Sequence, residues 1–175
     1  MAEKNIYLVG FMASGKTTVG QILARKLNRR FIDTDALIEQ ETGLTISAVF
    51  QNKGEIFFRE LEQEVVKKVA QETGAVVAMG GGVVLKLENW SCIQSSGISI
   101  YLKWPLQYLL PRLVQTDSRP LIHHTDPIKR IAALEKLFTE RQAFYEKADF
   151  TIVCKPHFTP DSLAAKLILR LKESL

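Results

Sequence analysis

Apolar residues in this chain occur in short continuous runs, separated by longer stretches in which they recur at helical spacing. Four runs of strand length, rich in β-branched residues, are Asn5–Val9, Ala75–Met79, Ile98–Leu102 and Phe150–Val153. Because these runs are continuous rather than alternating, they predict strands buried on both faces of a parallel sheet. A shorter run, Arg30–Ile32, predicts one more strand.

The intervening stretches each carry an apolar stripe with residues three or four positions apart. Strands and helices therefore alternate, which predicts an α/β sandwich with right-handed crossovers and a central parallel sheet of about five strands. Folds of this kind bind ligands beyond the carboxyl ends of the strands. The stripes consist of Val19, Ile22, Leu23 and Leu27; Leu61, Val65, Val66 and Val69; and Leu163, Leu167, Ile168 and Leu171.

The composition is typical of a single soluble globular domain. Of 175 residues, 46% are hydrophobic and 24% are charged. At roughly 100 to 200 residues per domain, we expect one domain over residues 1–175. The longest nearly apolar run, Gly74–Leu85, is shorter than the about 18 residues that indicate a membrane span. Two cysteines without CxxC spacing indicate neither a disulfide scaffold nor a zinc site. We expect a cytoplasmic protein with no membrane partner.

A phosphate-binding motif lies between the first predicted strand and the first predicted helix. Residues 10–17, Gly-Phe-Met-Ala-Ser-Gly-Lys-Thr, match G-x-x-x-x-G-K-[ST] at every specified position. Such glycines let backbone N–H groups point at phosphate oxygens, and the helix N-terminus adds partial positive charge. Lys16 is expected to bridge the β- and γ-phosphates, and the Thr17 hydroxyl to ligate Mg²⁺. The motif predicts an ATP- or GTP-binding protein.

The phosphate-binding motif alone is compatible with several functions. A GTPase is disfavoured because Asn52-Lys53-Gly54-Glu55 only resembles the guanine-reading N-K-x-D, and no D-x-x-G occurs in the chain. A kinase for another small hydroxylated acid, or for a nucleoside monophosphate, stays open. The net charge of +4 also suits an ATP-binding module that binds nucleic acid. That charge has no accompanying aromatic and basic reading motif, so we expect no nucleic-acid partner.

Two carboxylates at the end of the short second strand are candidates for the acceptor side. Asp33 and Asp35 are spaced i, i+2, and on an extended segment both would project to the same side. One carboxylate could then hold Mg²⁺ through water, while the other accepts or orients a substrate hydroxyl. The alternative is an N-cap cluster in which Asp35 starts a helix over 36–41.

Two irregular segments complete the set of candidate site elements. Gly80, Gly81 and Gly82 follow the third strand, where consecutive glycines favour either a close backbone approach to a ligand or a plain flexible turn. Residues 115–126 are polar, include a proline and two histidines, and interrupt two helical stretches. This second segment predicts a surface loop or lid.

In order and spacing, these motifs resemble those of the shikimate kinase family. Besides the phosphate loop, the resemblance rests on D-T-D at 33–35, G-E-x-x-F-R at 54–59, G-G-G at 80–82 and R-P-L at 119–121, and it extends over nearly the whole chain. It implies transfer of the ATP γ-phosphoryl group to the 3-hydroxyl of shikimate, a step in making chorismate and the aromatic amino acids.

The same resemblance implies an architecture and a cofactor. The expected fold is a three-layer sandwich with a five-stranded parallel sheet of order 2-3-1-4-5 and helices on both faces. A lid is expected at about 112–126 and a substrate-binding helical segment at about 34–61. The implied cofactor is Mg²⁺, the implied partners are ATP and shikimate, and the implied state is a monomer.

Individual roles follow from the matched motifs. Asp33 matches an aspartate that holds Mg²⁺ through water, and Asp35 matches one that contacts the shikimate hydroxyls and is a candidate base. Arg59 and Arg141 match two carboxylate-binding arginines, and Arg119 matches a lid arginine. The expected sets are catalytic Lys16, Asp35 and Arg119; ATP-binding Gly10, Ala13, Ser14, Gly15, Lys16, Thr17, Thr18, Arg112 and Arg119; substrate-binding Asp35, Phe58, Arg59, Gly80, Gly81, Gly82 and Arg141; and metal-binding Thr17 and Asp33.

The adenine end of the nucleotide site departs from the family pattern. Arg112 matches an arginine that lies against the adenine. Near the last strand, where relatives often place another arginine, this chain has Val153-Cys154-Lys155-Pro156. That difference leaves part of the purine contact, and the purine selectivity, unassigned.

Overall fold

A five-stranded parallel sheet forms the centre of the computed structural model, which describes residues 3–114 and 126–173. Its strands are β1 (Asn5–Val9), β2 (Phe31–Asp33), β3 (Val76–Ala78), β4 (Gly97–Lys103) and β5 (Phe150–Val153). They lie in the order β2-β3-β1-β4-β5, which confirms the expected order 2-3-1-4-5. β1 and β3 are buried along their whole length, as their continuous apolar sequences predict.

Seven α-helices accompany the strands in the described part of the chain. They are α1 (Lys16–Leu27), α2 (Thr34–Thr42), α3 (Ile46–Ala70), α4 (Leu87–Ser96), α5 (Leu106–Val114), α6 (Pro127–Tyr145) and α7 (Pro160–Lys172). The connection through α1 leads from β1 toward one edge of the sheet, and the connection through α4 leads from β3 toward the other. Because parallel crossovers are right-handed, α1 and α4 cover opposite faces. The predicted three-layer α/β sandwich is confirmed.

The three apolar stripes predicted from the sequence pack into the core of this sandwich. α3 departs from a regular helix at Gly54, where φ is 81° and ψ is 172°, so two helical segments meet there at a kink. Glu55 and Arg59 follow the kink, and Thr45 caps the start of α3 by accepting the N–H of Ala48 at 3.2 Å. No helix in the two described ranges is both long and apolar enough to cross a membrane.

β5 is less buried than its apolar sequence predicts. Ile152 is 5% exposed, whereas Val153 is 58% exposed and Thr151 is also exposed. β5 lies at the edge of the sheet and pairs only with β4. Alternate side chains of this strand therefore face solvent, and the prediction of burial on both faces is wrong for it.

The segments that contain the candidate site residues all leave the sheet at the same end of the strands. β1 leads into the phosphate loop, β2 into Asp33 and Asp35, β3 into the glycines at 80–82, and β4 into Trp104. Because the strands are parallel, these segments follow carboxyl ends that lie side by side. The topology thus brings four distant parts of the sequence to one cleft.

Candidate active site

The phosphate loop, residues 10–15, connects β1 to α1. Ala13 and Gly15 adopt left-handed backbone angles, with φ of 59° and 86°, so the chain curls before the helix begins. The Nζ of Lys16 donates hydrogen bonds of 2.9 Å to two carbonyl oxygens at the start of the loop. The first turn of α1 contains no acidic side chain that would oppose an incoming phosphate. The loop therefore has the form of an anion-binding helix N-terminus.

The carbonyl groups of the phosphate loop are held from outside by two side chains. The indole N–H of Trp104 donates to the carbonyl oxygen of Ser14 at 3.1 Å, and Arg112 Nη1 donates to that of Ala13 at 3.2 Å. The Arg112 guanidinium also lies 4.8 Å from the centre of the Trp104 ring. Sequence reasoning placed Arg112 in the nucleotide site but missed Trp104. The available signal was an aromatic residue directly after a buried strand, at the edge where the loops meet.

The backbone around Asp33 and Asp35 differs from the one that the sequence predicted. Asp33 ends β2 and caps α2, with Oδ1 accepting the N–H groups of Asp35 at 3.0 Å and Ala36 at 3.3 Å. Its Oδ2 accepts a hydrogen bond of 2.6 Å from the Thr17 hydroxyl. The prediction of a shared extended segment, and the alternative with Asp35 as the cap, are both wrong. The strand passes into the helix without a loop, so the first aspartate becomes the cap.

Two neighbouring cavities open at the carboxyl ends of the strands. The first, the nucleotide cavity, has a volume of about 420 Å³ and contacts the phosphate loop and the start of α1. The second, the acceptor cavity, has a volume of about 350 Å³ and lies against α2, α3 and α6. Asp35 and Gly81 line both, so they mark the boundary between the cavities. The nucleotide cavity is lined by the predicted residues Ala13, Gly15, Lys16, Thr17, Thr18, Asp33 and Arg112.

Arg59 enters the acceptor cavity as part of an ion-pair cluster on α3. Its guanidinium contacts the Glu62 carboxylate at 2.5 Å and the Glu55 carboxylate at 3.1 Å. Burial alone would lower the pKa of Arg59, but the two carboxylates outweigh burial and raise that pKa. Burial also raises the pKa of Glu62, and the charge of Arg59 only partly opposes that rise. Arg59 is thus fixed in the cavity wall before any ligand arrives.

Arg141 approaches the same cavity from α6 without such partners. It is 3% exposed, yet it forms no ion pair with the carboxylates of the described residues, and its Nε has no hydrogen-bond partner among them. Burial lowers its pKa, in contrast to Arg59. A buried guanidinium is costly unless it is paired. Arg141 is therefore suited to receive an anionic group from a ligand.

Gly80 and Gly82 approach the site side chains so closely that a Cβ at either position would displace one of them. A Cβ at Gly80 would lie 2.5 Å from Oδ1 of Asp35, and a Cβ at Gly82 would overlap the guanidinium of Arg59. The structure thus shows a close approach of this backbone to side chains of the site, while its approach to a ligand stays a prediction. Absence of side chains here lets Asp35 and Arg59 reach the cavity wall.

Aromatic side chains form the apolar wall of the acceptor cavity. Phe58 is 4% exposed, and its ring centre lies 4.4 Å from that of Phe50. Across the cavity mouth, Glu39 accepts the N–H of Ile46 at 2.9 Å and so ties α2 to α3. The resemblance had already placed Phe58 against the substrate ring and Glu62 beside Arg59. Periodicity does not tell which turn of a helix faces a ligand, so the sequence did not single out the lining residues Glu39, Thr45, Ile46, Ser47 and Phe50, nor Met12 within the phosphate loop.

All predicted site residues that the structure describes meet in one cleft. Arg119 and residues 115–125 of the expected lid lie outside the described residues. Gly10, Ser14 and Gly80 support the cavities without lining them. His157 and the two cysteines form no metal cluster with other ligands in the described ranges.

Comparison with known proteins shows the family to which the chain belongs. A family model described as shikimate kinase matches residues 12–172. The chain belongs to the shikimate kinase family. A shikimate kinase from Rippkaea orientalis is 41% identical over 164 residues, which cover 94% of this chain and 86% of the relative. The family assignment thus rests on nearly the entire sequence.

Solved structures separate the shikimate kinase family from proteins that share only its fold. A shikimate kinase from Acinetobacter baumannii, solved in complex with shikimate, has a TM-score of 0.89 and 36% identity, covering 99% of this chain and 96% of that chain. An APS kinase from Mycobacterium tuberculosis has a TM-score of 0.59 and 15% identity, covering 98% of both chains. The second likeness concerns the fold alone.

Proposed function

We propose that this chain transfers the γ-phosphoryl group of ATP to the 3-hydroxyl of shikimate, giving shikimate 3-phosphate and ADP. The observation that carries the proposal is the acceptor cavity, in which the half-buried Arg59 and the buried Arg141 line a space bounded by Asp35. Two guanidinium groups suit an acceptor with a carboxylate, because each can grip it through two parallel hydrogen bonds. The family assignment supports the same acceptor.

Thr17 and Asp33 are proposed to hold Mg²⁺ together with the phosphates of ATP, Asp33 through water. A hydroxyl and a carboxylate oxygen lie 2.6 Å apart beside the phosphate loop, and Mg²⁺ prefers such oxygen ligands. No group of three acidic, histidine or cysteine side chains forms a separate metal site within residues 3–114 and 126–173. Bound Mg²⁺ would supply positive charge against the phosphate oxygens during transfer.

Asp35 is proposed to align the 3-hydroxyl and to accept its proton. The hydroxyl oxygen forms a bond to the γ-phosphorus, the bond from that phosphorus to the β–γ bridging oxygen breaks, and ADP leaves with the bonding electrons. The transition state is loose, so alignment contributes more than a strong base does. Lys16, at the phosphate loop, is proposed to neutralise charge on the β- and γ-phosphates.

Arg59 and Arg141 are proposed to bind the shikimate carboxylate, while Phe58 contacts the ring and the glycines at 80–82 offer backbone groups. Arg112 is proposed to lie against the adenine, on the support of its position in the nucleotide cavity. Arg119 is proposed to close over the transferring phosphoryl group from a lid at about 112–126. A closed lid would exclude water, which otherwise competes with the acceptor for ATP.

Three broader assignments follow from the family resemblance. We propose a single kinase domain over residues 1–175, a monomer, and a cytoplasmic location. ATP and shikimate are the proposed small-molecule partners, with no nucleic-acid or membrane partner.

An acceptor panel tests the proposed reaction. ADP release is measured with shikimate, shikimate methyl ester, gluconate and AMP as acceptors, and with no acceptor as the baseline. We expect the highest kcat/KM with shikimate. The methyl ester should lose at least about tenfold in kcat/KM, because it offers no charge to the two arginines.

The panel contradicts the proposal if gluconate or AMP exceeds shikimate as acceptor. ADP release that is independent of every acceptor would indicate hydrolysis rather than transfer. Salt-sensitive binding of single- or double-stranded nucleic acid without any transfer would instead favour a nucleic-acid-binding module.

A further inference from the structure

Two buried hydroxyl groups hold the backbone of the glycine loop, residues 80–82, from different elements. The Thr34 hydroxyl, at the start of α2, accepts the N–H of Gly80 at 2.8 Å. The Tyr145 hydroxyl, at the end of α6, donates to the carbonyl oxygen of Gly81 at 2.6 Å. Both side chains belong to residues with at most 1% exposure. A flexible three-glycine segment is therefore fixed at two adjacent residues.

The contact from Tyr145 determines which way the peptide between Gly81 and Gly82 faces. A trans peptide is planar, with its C=O and N–H pointing in opposite directions. The carbonyl of Gly81 points at Tyr145, so the N–H of Gly82 points away from it. No residue in 3–114 or 126–173 accepts a hydrogen bond from the N–H of Gly81 or Gly82, and both glycines line the acceptor cavity. These donors are available to ligand oxygens.

Tyr145 also connects the glycine loop to Arg141. The two side chains are one helical turn apart on α6, and the charge of Arg141 acts on the Tyr145 hydroxyl, whose pKa burial raises to about 12. Nη1 of Arg141 lies 3.7 Å from the position that a Cβ on Gly81 would take. The hydrogen bond from Tyr145 to Gly81 therefore fixes the distance between the loop donors and the guanidinium.

A second buried tyrosine shows that this contact is not a general requirement of the core. Tyr101 stacks on Tyr145 with ring centres 5.3 Å apart, and it is 1% exposed. Its hydroxyl has no hydrogen-bond partner among the described residues. The two rings pack alike, but only the Tyr145 hydroxyl reaches the acceptor cavity's wall.

We infer that Thr34 and Tyr145 are positioning residues of the acceptor half of the site. Their hydroxyls hold the glycine loop so that its free N–H groups and Arg141 face the acceptor together. The inference rests on the proposed function, since it deepens the assignment of that cavity to shikimate. Neither residue needs to touch the substrate for this effect.

The test compares three substitutions that each remove one buried hydroxyl and keep the shape of the side chain. Thr34→Val and Tyr145→Phe remove the two loop contacts, and Tyr101→Phe is the matched control. KM is measured separately for shikimate and for ATP, and the Kd of shikimate is measured by calorimetry without nucleotide. Thermal unfolding reports whether each variant is folded.

We expect Thr34→Val and Tyr145→Phe each to raise the KM and Kd for shikimate by about 3- to 10-fold, because one buried hydrogen bond is lost. The KM for ATP should stay within about twofold, and Tyr101→Phe should change neither constant by more than that. Combining Tyr145→Phe with Arg141→Lys should raise the KM for shikimate by less than the product of the two single increases, since both substitutions act on one contact with the carboxylate.

The inference is overturned if folded Tyr145→Phe binds shikimate as the unmodified protein does, or if the KM for ATP rises as much as that for shikimate. Equal effects of Tyr101→Phe and Tyr145→Phe would also overturn it. If only one of the loop variants folds, that variant alone decides. Failure of the proposed function appears separately, as an unmodified protein that does not phosphorylate shikimate.

Discussion

The nucleotide half and the acceptor half of the cleft draw on the chain in different ways. The nucleotide half takes Ala13, Gly15, Lys16 and Thr17 from one continuous motif, residues 10–17, which forms the phosphate loop and begins α1. The acceptor half takes its contacts from α2, α3, α6 and the loop after β3. A site formed by backbone N–H groups tolerates changes in the side chains of its loop. A site formed by side chains depends on the position of every helix or loop that carries one.

The two arginines of the acceptor half show what this dependence means for charge. Arg59 is paired with Glu55 and Glu62, so its charge is balanced before a ligand binds. Arg141 is more deeply buried than Arg59, and it has no ion-pair partner among the described carboxylates. A ligand carboxylate therefore gains most from Arg141, because that contact gives an ion-pair partner to a buried charge that has none among the described carboxylates. We expect single substitutions to distinguish the two halves of the cleft, because changes in the nucleotide half should alter the KM for ATP and changes in the acceptor half the KM for shikimate.

Asp35→Asn should give the largest effect, because Asp35 lies at the boundary of both cavities. Replacing the carboxylate removes the proton acceptor and one aligned contact, so kcat should fall by about 10²- to 10⁴-fold. The affinity for ATP should persist, since the phosphate loop is unchanged. Single-turnover phosphoryl transfer and equilibrium ATP binding measure the two quantities.

The control for that experiment is Asp161→Asn, which makes the same change on a side chain that is 72% exposed. It should leave kcat unaltered. Nearly full turnover in Asp35→Asn would contradict the role given to Asp35. Loss of ATP binding in the same variant would contradict the division of the cleft into two halves.

Arg141→Lys should give the next largest effect, confined to the acceptor. Lysine keeps the charge but cannot offer two parallel hydrogen bonds to a carboxylate. Loss of one charge-assisted hydrogen bond, about 1.5–3 kcal/mol, corresponds to a rise of about 10- to 100-fold in the KM for shikimate. The KM for ATP should stay within about twofold. Initial rates with each substrate varied in turn provide both values.

Arg170→Lys serves as the control, because Arg170 lies on α7 and its side chain is 50% exposed. An Arg141→Lys variant whose KM for shikimate matches that of the control would show that Arg141 does not bind the acceptor. A rise in the KM for ATP of the same size would show instead that the fold was disturbed.

The fold could be predicted from the sequence because its determinants are local. Continuous apolar runs and helical stripes give the alternation of strands and helices, and right-handed crossovers restrict how those elements connect. The strand order itself came from the family resemblance. Burial of β5 was predicted wrongly, because a run of apolar residues does not show whether a strand lies at an edge.

The site was predictable only where its chemistry is contiguous. The phosphate loop can be recognised in eight residues, whereas Arg59 and Arg141 were assignable only through the resemblance. Thr34 and Tyr145 gave no sequence signal, and Trp104 gave only its place directly after a buried strand, because each acts through one hydrogen bond to backbone far away in the chain. Such contacts depend on the packed geometry, which spacing along a sequence does not contain.

Trp104→Phe should give the smallest effect and should touch only the nucleotide half. The substitution keeps an aromatic ring beside Arg112 but removes the N–H that holds the carbonyl of Ser14. One neutral hydrogen bond contributes about 0.5–1.5 kcal/mol, so the KM for ATP should rise by about 2- to 10-fold, with the KM for shikimate unchanged. Steady-state rates at varied ATP check this.

Trp90→Phe is a closely matched control for Trp104→Phe, because both tryptophans are 3% exposed. The indole N–H of Trp90 has no hydrogen-bond partner among the described residues. Both substitutions remove the same volume from the core and should lower the free energy of unfolding by similar amounts. Only Trp104→Phe should weaken ATP binding, because only Trp104 holds the phosphate loop. If both variants raise the KM for ATP equally, loss of core packing explains the effect. The nucleotide half would then depend on the packing of the core as the acceptor half does.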